Sequence, residues 1–159
     1  MTKITLITVG SLKEDYLKSA VEEYKKRLSL FARVEEINIK EERIKDEGSA
    51  AEIERALSLE GDKIISATPK DSYKIALCIE GVQYSSTELA SVISRAEDKC
   101  GKISLVIGSS HGLSDKVKQY ADLKLSFSKM TFPHQLMRVI LYEALYRSYT
   151  IIANKSYHK

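Results

Sequence analysis

Apolar residues recur along this chain in two rhythms, one of extended runs and one of helical spacing, and their order predicts an α/β fold. Ile4–Val9 is a short β-branched run that stops at Gly10, the pattern of a first strand. Leu17, Ala20, Val21, Tyr24 and Leu28 then return at helical spacing within Asp15–Phe31. Val34–Ile39 predicts a second strand, and the charged, aperiodic stretch Lys40–Gly48 predicts a mobile surface loop. Ser49 and Glu52 form a capping-box pattern that opens a helix to about Ser66, and Pro69 and Asp71 mark the turn after it.

The second half is more regular. Lys74–Ile79 reads as a strand ended by Gly81, and Ser85 with Glu88 repeats the capping box ahead of the stripe Leu89, Val92, Ile93 and Ala96. Ile103–Ile107 has the continuous apolar character of a strand buried on both faces. A loop at Gly108–Gly112, a short helix Ser114–Tyr120, a strand Leu123–Phe127 and a helix Gln135–Ile152 follow. This alternation implies helices flanking a mostly parallel sheet, in one domain of 159 residues without internal repeats or linkers.

The last helix carries more apolar residues than one face needs: Leu136, Met137, Val139, Ile140, Leu141, Ala144, Leu145, Tyr146 and Tyr149. The excess area is covered either deep within the monomer or by a second copy in a symmetric homodimer. No segment resembles a signal peptide or a membrane span, so the expected location is cytoplasmic. Two cysteines in such a chain make no disulfide framework, and Cys78, inside an apolar run, reads as packing. The net charge of +3 is small, but residues 102–159 hold nine Lys/Arg against three Asp/Glu. That basic part suits a polyanion or a solvated face equally.

Ligands of open α/β sheets bind beyond the carboxyl ends of the strands. Three loops leave such ends here, after Ile79, Ile107 and Leu125. The second, Gly108-Ser109-Ser110-His111-Gly112, fits none of the phosphate-binding fingerprints and is either a plain turn or a place where backbone approaches a ligand. The third, Phe127 to Gln135, is unusually apolar for a loop; it either plugs the sheet or grips a flat heterocycle. His111, His134 and His158 lack metal-type spacing, so no metal is expected, and no nucleophile elbow accompanies the serines.

The run Leu125-Ser126-Phe127-Ser128-Lys129-Met130-Thr131-Phe132-Pro133-His134-Gln135, with Arg138 and the terminal Tyr157-His158-Lys159, resembles the signature of the RlmH family of SPOUT-class ribosomal-RNA pseudouridine methyltransferases. Lys3–Leu12 with Gly10, the Ile79-x-Gly81 exit and Ile107-Gly108 fit the same family, along the whole chain. The resemblance implies an α/β fold with a C-terminal trefoil knot and S-adenosyl-L-methionine as cofactor. It implies that Leu77, Gly108, Phe127, Ser128, Lys129, Met130, Thr131 and Phe132 bind that cofactor. The implied reaction is methylation of N3 of a pseudouridine in 23S rRNA of the assembled 70S ribosome, by a homodimer. N3 must lose its proton, which makes His158 the first candidate base and His134 the second. Tyr157 and His158 would then reach the partner subunit's site, Arg138, Arg147 and Lys159 would meet phosphates, and Glu143 would accept or orient a proton. In one respect the chain departs from the family pattern: Ser109 and His111 stand where a second glycine and an asparagine or acidic residue are common. A transfer-RNA methyltransferase of the same fold, a cofactor-free RNA-binding protein and a nucleotide-binding oxidoreductase are the rival readings.

Overall fold

The computed structural model describes residues 1–156. Ten elements follow in strict alternation: β1 (Thr2–Val9), α1 (Asp15–Leu28), β2 (Ala32–Ile39), α2 (Ala50–Ala67), β3 (Tyr73–Val82), α3 (Ser86–Cys100), β4 (Lys102–Ile107), α4 (Asp115–Tyr120), β5 (Leu123–Leu125) and α5 (His134–Ile152). The five strands form one sheet in the order β2-β1-β4-β3-β5, and every pairing is parallel.

Strand side chains alternate between faces, so each strand serves two cores. Ile4, Leu6, Ile75, Leu77, Ile103, Leu105 and Ile107 meet Leu28, Ile93, Leu141 and Leu145 in the larger one, under α1, α3 and α5. Ile7, Val9, Ala76 and Val106 turn the other way, onto Ile64 of α2 and Val117 of α4. The continuous apolar run of β4 thus reflects burial on both faces. Ser104, on that strand, is fully buried and bonds the Ser72 hydroxyl at 2.7 Å, which satisfies its polar group.

Several local expectations need correction. Gly81 does not end β3; the strand runs on to Val82, and the glycine lets β5 cross closely, since a methyl there would lie 2.7 Å from the backbone of Lys124 and Leu125. β5 stops at Leu125, not at Phe127, because Phe127 and the residues after it turn into a loop. The capping box at Ser85 is complete, with reciprocal bonds to Glu88. At Ser49 only half of it forms: the hydroxyl accepts from the Glu52 amide, while the Glu52 carboxylate receives the amides of Lys45 and Asp46. The charged stretch 40–48 is irregular, as expected, yet it is fastened to α2 through those bonds.

α5 packs between α1 and α3, burying Leu141, Tyr142, Leu145 and Tyr149. Its two buried tyrosines end on carboxylates, Tyr142 on Glu36 and Tyr149 on Glu97, each at 2.5 Å. Leu136, Ile151 and Ile152 remain exposed. Much of the excess apolar surface of this helix is therefore consumed within the monomer.

Candidate active site

The strand order places the carboxyl ends of β3, β4 and β5 side by side, and the loops leaving them enclose a cleft of about 730 Å³. That size suits a nucleoside-sized ligand. Leu77, Cys78, Ile79 and Glu80 form one wall from β3. Gly108 to Leu113 form the second from the loop after β4, and Leu125 to Ser128 with Met130 to His134 form the third. Met137 of α5 and Lys118 of α4 complete the lining.

The second loop is a tight hairpin. The Gly112 amide bonds the Ser109 carbonyl at 2.9 Å, and Gly112 adopts φ +86°, a conformation that L side chains rarely accept. Gly108 faces the returning chain: a methyl on it would overlap the Gly112 carbonyl oxygen and lie 2.6 Å from the carbonyl carbon. The glycines thus fix the loop's path. In the third loop the Ser128 hydroxyl accepts from the Met130 amide at 3.0 Å, and the Ser126 hydroxyl donates to the Ser128 carbonyl at 3.0 Å. These short-range bonds hold a loop that has no regular structure.

Of the residues expected to bind the cofactor, Leu77, Gly108, Phe127, Ser128, Met130, Thr131 and Phe132 line the cleft. Lys129 does not; its side chain is exposed between two lining neighbours. Among the expected catalytic residues, His134 lines the cleft where α5 begins. Burial pushes its imidazole pKa below the ordinary value, with nearby Arg138 and Lys13 acting in the same sense and Glu41 opposing. A lowered pKa keeps the ring neutral near pH 7 and able to accept a proton. Arg138 is only 4% exposed and donates from its Nη2 to the Gly10 carbonyl, and its Nε has no hydrogen-bond partner. Its burial argues against the phosphate contact expected of it and for a tie between the end of β1 and the start of α5. Glu143 lies farther along α5, bonded by Arg147 at 2.6 Å and 3.0 Å. Tyr157, His158 and Lys159 lie outside the described residues.

Cys78, Glu80 and Lys118 also line the cleft, with no local sequence signal for that place. Cys78 reads as packing by its apolar flanks, yet it faces the cleft; burial raises its thiol pKa, so it is protonated and a poor nucleophile. Glu80 and Lys118 form an ion pair across the cleft rim. Nothing in the local sequence of either signals that pairing, because β3 and α4 meet only in the folded sheet. Among the described residues, no group of three or more His, Cys, Asp or Glu stands where it could hold a metal, and no helix is long and apolar enough to cross a membrane.

Comparison with known proteins gives this geometry its context. The family model described as predicted SPOUT methyltransferase matches residues 2–158. The chain is 47% identical to the ribosomal RNA large subunit methyltransferase H of Caldicellulosiruptor saccharolyticus, covering 98% of this chain and 99% of that one. Solved structures of similar fold include the tRNA (m1G37) methyltransferase of Aquifex aeolicus, with a TM-score of 0.54 at 15% identity, covering 91% of this chain and 69% of that one. Another is the putative methyltransferase Lpg2936 of Legionella pneumophila, solved in complex with the bound cofactor SAM, with a TM-score of 0.50 at 15% identity, covering 91% and 65%. A parallel sheet with its cleft at the β3, β4 and β5 loops, and near-full-length identity to these relatives, make the chain a member of the SPOUT methyltransferase family, in its ribosomal RNA large subunit methyltransferase H group.

Proposed function

We propose that the cleft takes S-adenosyl-L-methionine and that the chain methylates large-subunit ribosomal RNA, at N3 of a pseudouridine of 23S rRNA in the assembled 70S ribosome. The observation that carries this reading is the joint lining of one cleft by the three loops, in a chain 47% identical to a methyltransferase of that name. The residues fit such a cofactor: Phe127, Phe132 and Leu77 offer apolar surface for a purine, and the glycine-shaped loop after β4 leaves backbone accessible to it. When bound, the cofactor supplies an electrophilic methyl group.

The chain's own residues have two further tasks. The target nitrogen must be aligned, and alignment alone is worth roughly 7–11 kcal/mol of barrier in well-oriented systems. Its proton must also go somewhere. His134, neutral and on the cleft wall, is one acceptor. His158 of a partner subunit is the other and, on the family resemblance, the preferred one, with Tyr157 beside it; this requires the homodimer. Leu136, Ile151 and Ile152, exposed on α5, support such a dimer. Arg138 positions the start of α5, and Glu143 with Arg147 orients groups farther along it. On the family resemblance, the C-terminal segment is threaded as a trefoil knot. An enzyme with this substrate works in the cytoplasm.

The test is methyl transfer from labelled S-adenosylmethionine to purified 70S ribosomes lacking the modification, with free 50S subunits in parallel. Label mapping to one pseudouridine and favouring 70S is the expected result. Cofactor binding without label would overturn the substrate, and absence of cofactor binding would overturn the enzyme reading. A His158→Ala variant that methylates at the normal rate would transfer the role of base to His134.

A further inference from the structure

Two charges in the cleft have no part in the reaction as proposed. Among the described residues that line it, Glu80 is the one carboxylate and Lys118 the one lysine or arginine, and the two bond each other. A break in the sheet puts Glu80 there. Leu77 and Val82 both pair with Leu125, so residues 78–81 leave the ladder, and Cys78, Ile79 and Glu80 from that bulge face the cleft. Lys118 comes from α4, which follows the loop after β4. Its ammonium holds the Glu80 carboxyl below the ordinary carboxylate range, against the opposing effect of burial, so Glu80 is ionised at neutral pH.

A pair so placed contributes little to the fold, because the Glu80 side chain is 52% exposed and water screens the attraction. It also leaves bonding capacity for a ligand. The bond between the two uses one carboxylate oxygen and one of three ammonium hydrogens; the other oxygen and two N–H groups remain. S-adenosylmethionine offers the matching pattern at one end. Its adenine and ribose are uncharged, whereas its amino-acid end carries an ammonium and a carboxylate on the same carbon. Leu77, Phe127 and Phe132 give apolar surface for the purine, which leaves the charged rim for the amino acid. There the four charges alternate in sign, each beside two of the opposite kind.

We infer that the Glu80–Lys118 pair is the subsite for the α-amino-acid end of the cofactor, with Glu80 accepting from its ammonium and Lys118 donating to its carboxylate. This inference rests on the cleft being the S-adenosylmethionine site. The pair then decides which adenosyl sulfur compounds the cleft holds: those with an intact amino acid bind well, and those that end at the sulfur bind weakly.

The experiment measures Kd by calorimetry for wild type, Glu80→Gln and Lys118→Met with four compounds: S-adenosylmethionine, its decarboxylated form, S-adenosylhomocysteine and methylthioadenosine. The first two share a sulfonium and differ in the carboxylate; the last two are neutral at sulfur and differ in the whole amino-acid chain. Wild type should prefer the intact member of each pair by roughly tenfold, the scale of a lost charged hydrogen bond close to water. Glu80→Gln should weaken every compound that has the ammonium roughly five- to tenfold and leave methylthioadenosine within about twofold. Lys118→Met should weaken S-adenosylmethionine and S-adenosylhomocysteine by a similar factor, with no loss for the decarboxylated form. Losses that extend equally to methylthioadenosine, which keeps adenine and ribose, would put the pair at the ribose or in the scaffold and overturn the inference. Unchanged affinity for S-adenosylmethionine in both variants would do the same. So would a wild type without either preference, a test that needs no substitution. A wild type that binds none of the four compounds would instead overturn the cofactor reading beneath it.

Discussion

Gly108→Ala is the sharpest perturbation of the cleft. Gly108 is not among the glycines with positive φ, so alanine there meets no backbone penalty of its own. The cost is steric: the new methyl would overlap the Gly112 carbonyl oxygen, with Leu113 Cδ2 3.0 Å away. The oxygen is backbone and the leucine methyl belongs to a buried side chain, so the loop itself must move. Overpacking of this kind costs about 1–3 kcal/mol. If the displacement is taken out of cofactor binding, Kd rises roughly 5- to 150-fold at about 1.4 kcal/mol per factor of ten. If it is taken out of folding, Tm falls by about 2–4 °C per kcal/mol in a domain of this size. Titration calorimetry with S-adenosylmethionine and thermal denaturation without it separate the two. Gly101→Ala is the matched control. Gly101 has φ +66° and open space around it, and it precedes the opposite end of β4 from Gly108. Alanine there should cost about 1 kcal/mol of stability and leave affinity unchanged. Wild-type affinity and Tm in Gly108→Ala, or equal affinity losses in both variants, would refute the argument that the glycine shapes the site.

Other variants probe separate links. His134→Gln should slow methylation of ribosomes at pH 7 by roughly 10²-fold if its neutral ring takes the N3 proton, and leave the rate unchanged if the tail histidine does so. Its lowered pKa also has a sign in stability: as pH falls below about 6.5 the unfolded chain takes the proton first, so stability declines there. Wild-type Tm should therefore drop more between pH 7.5 and 5.5 than that of His134→Gln; equal slopes would contradict the assigned shift. Ser85→Ala removes a complete capping box and should cost about 1 kcal/mol, or about 2–4 °C, with cofactor affinity intact. Lys129→Ala should leave cofactor affinity within about twofold, since that side chain lies outside the cleft lining; a large loss would place it inside after all.

The strands and helices of this protein were legible because their signals are local. β4 shows burial on both faces as five residues without a charge, and α3 announces its start by Ser85 and Glu88. The positions of the cleft loops followed as well, since each leaves the carboxyl end of a recognisable strand, and the Phe127–Gln135 run was distinctive enough to name a family. What the residues could not declare was which distant partners they would meet. Ser49 and Glu52 have the same spacing as Ser85 and Glu88, yet Glu52 bonds Lys45 and Asp46 instead, because the 40–48 stretch folds back on α2. Arg138 is expected from the resemblance to meet phosphates, and only the packing of α5 across the end of β1 brings it under the Gly10 carbonyl. Glu60 reads as one charge on a helix, whereas the fold buries it and brings the Glu42 amide to its carboxylate. Secondary structure depends on neighbours a few residues away, which a sequence displays. The cleft depends on β3, β4 and β5 lying side by side, and that order is fixed only when the whole sheet assembles.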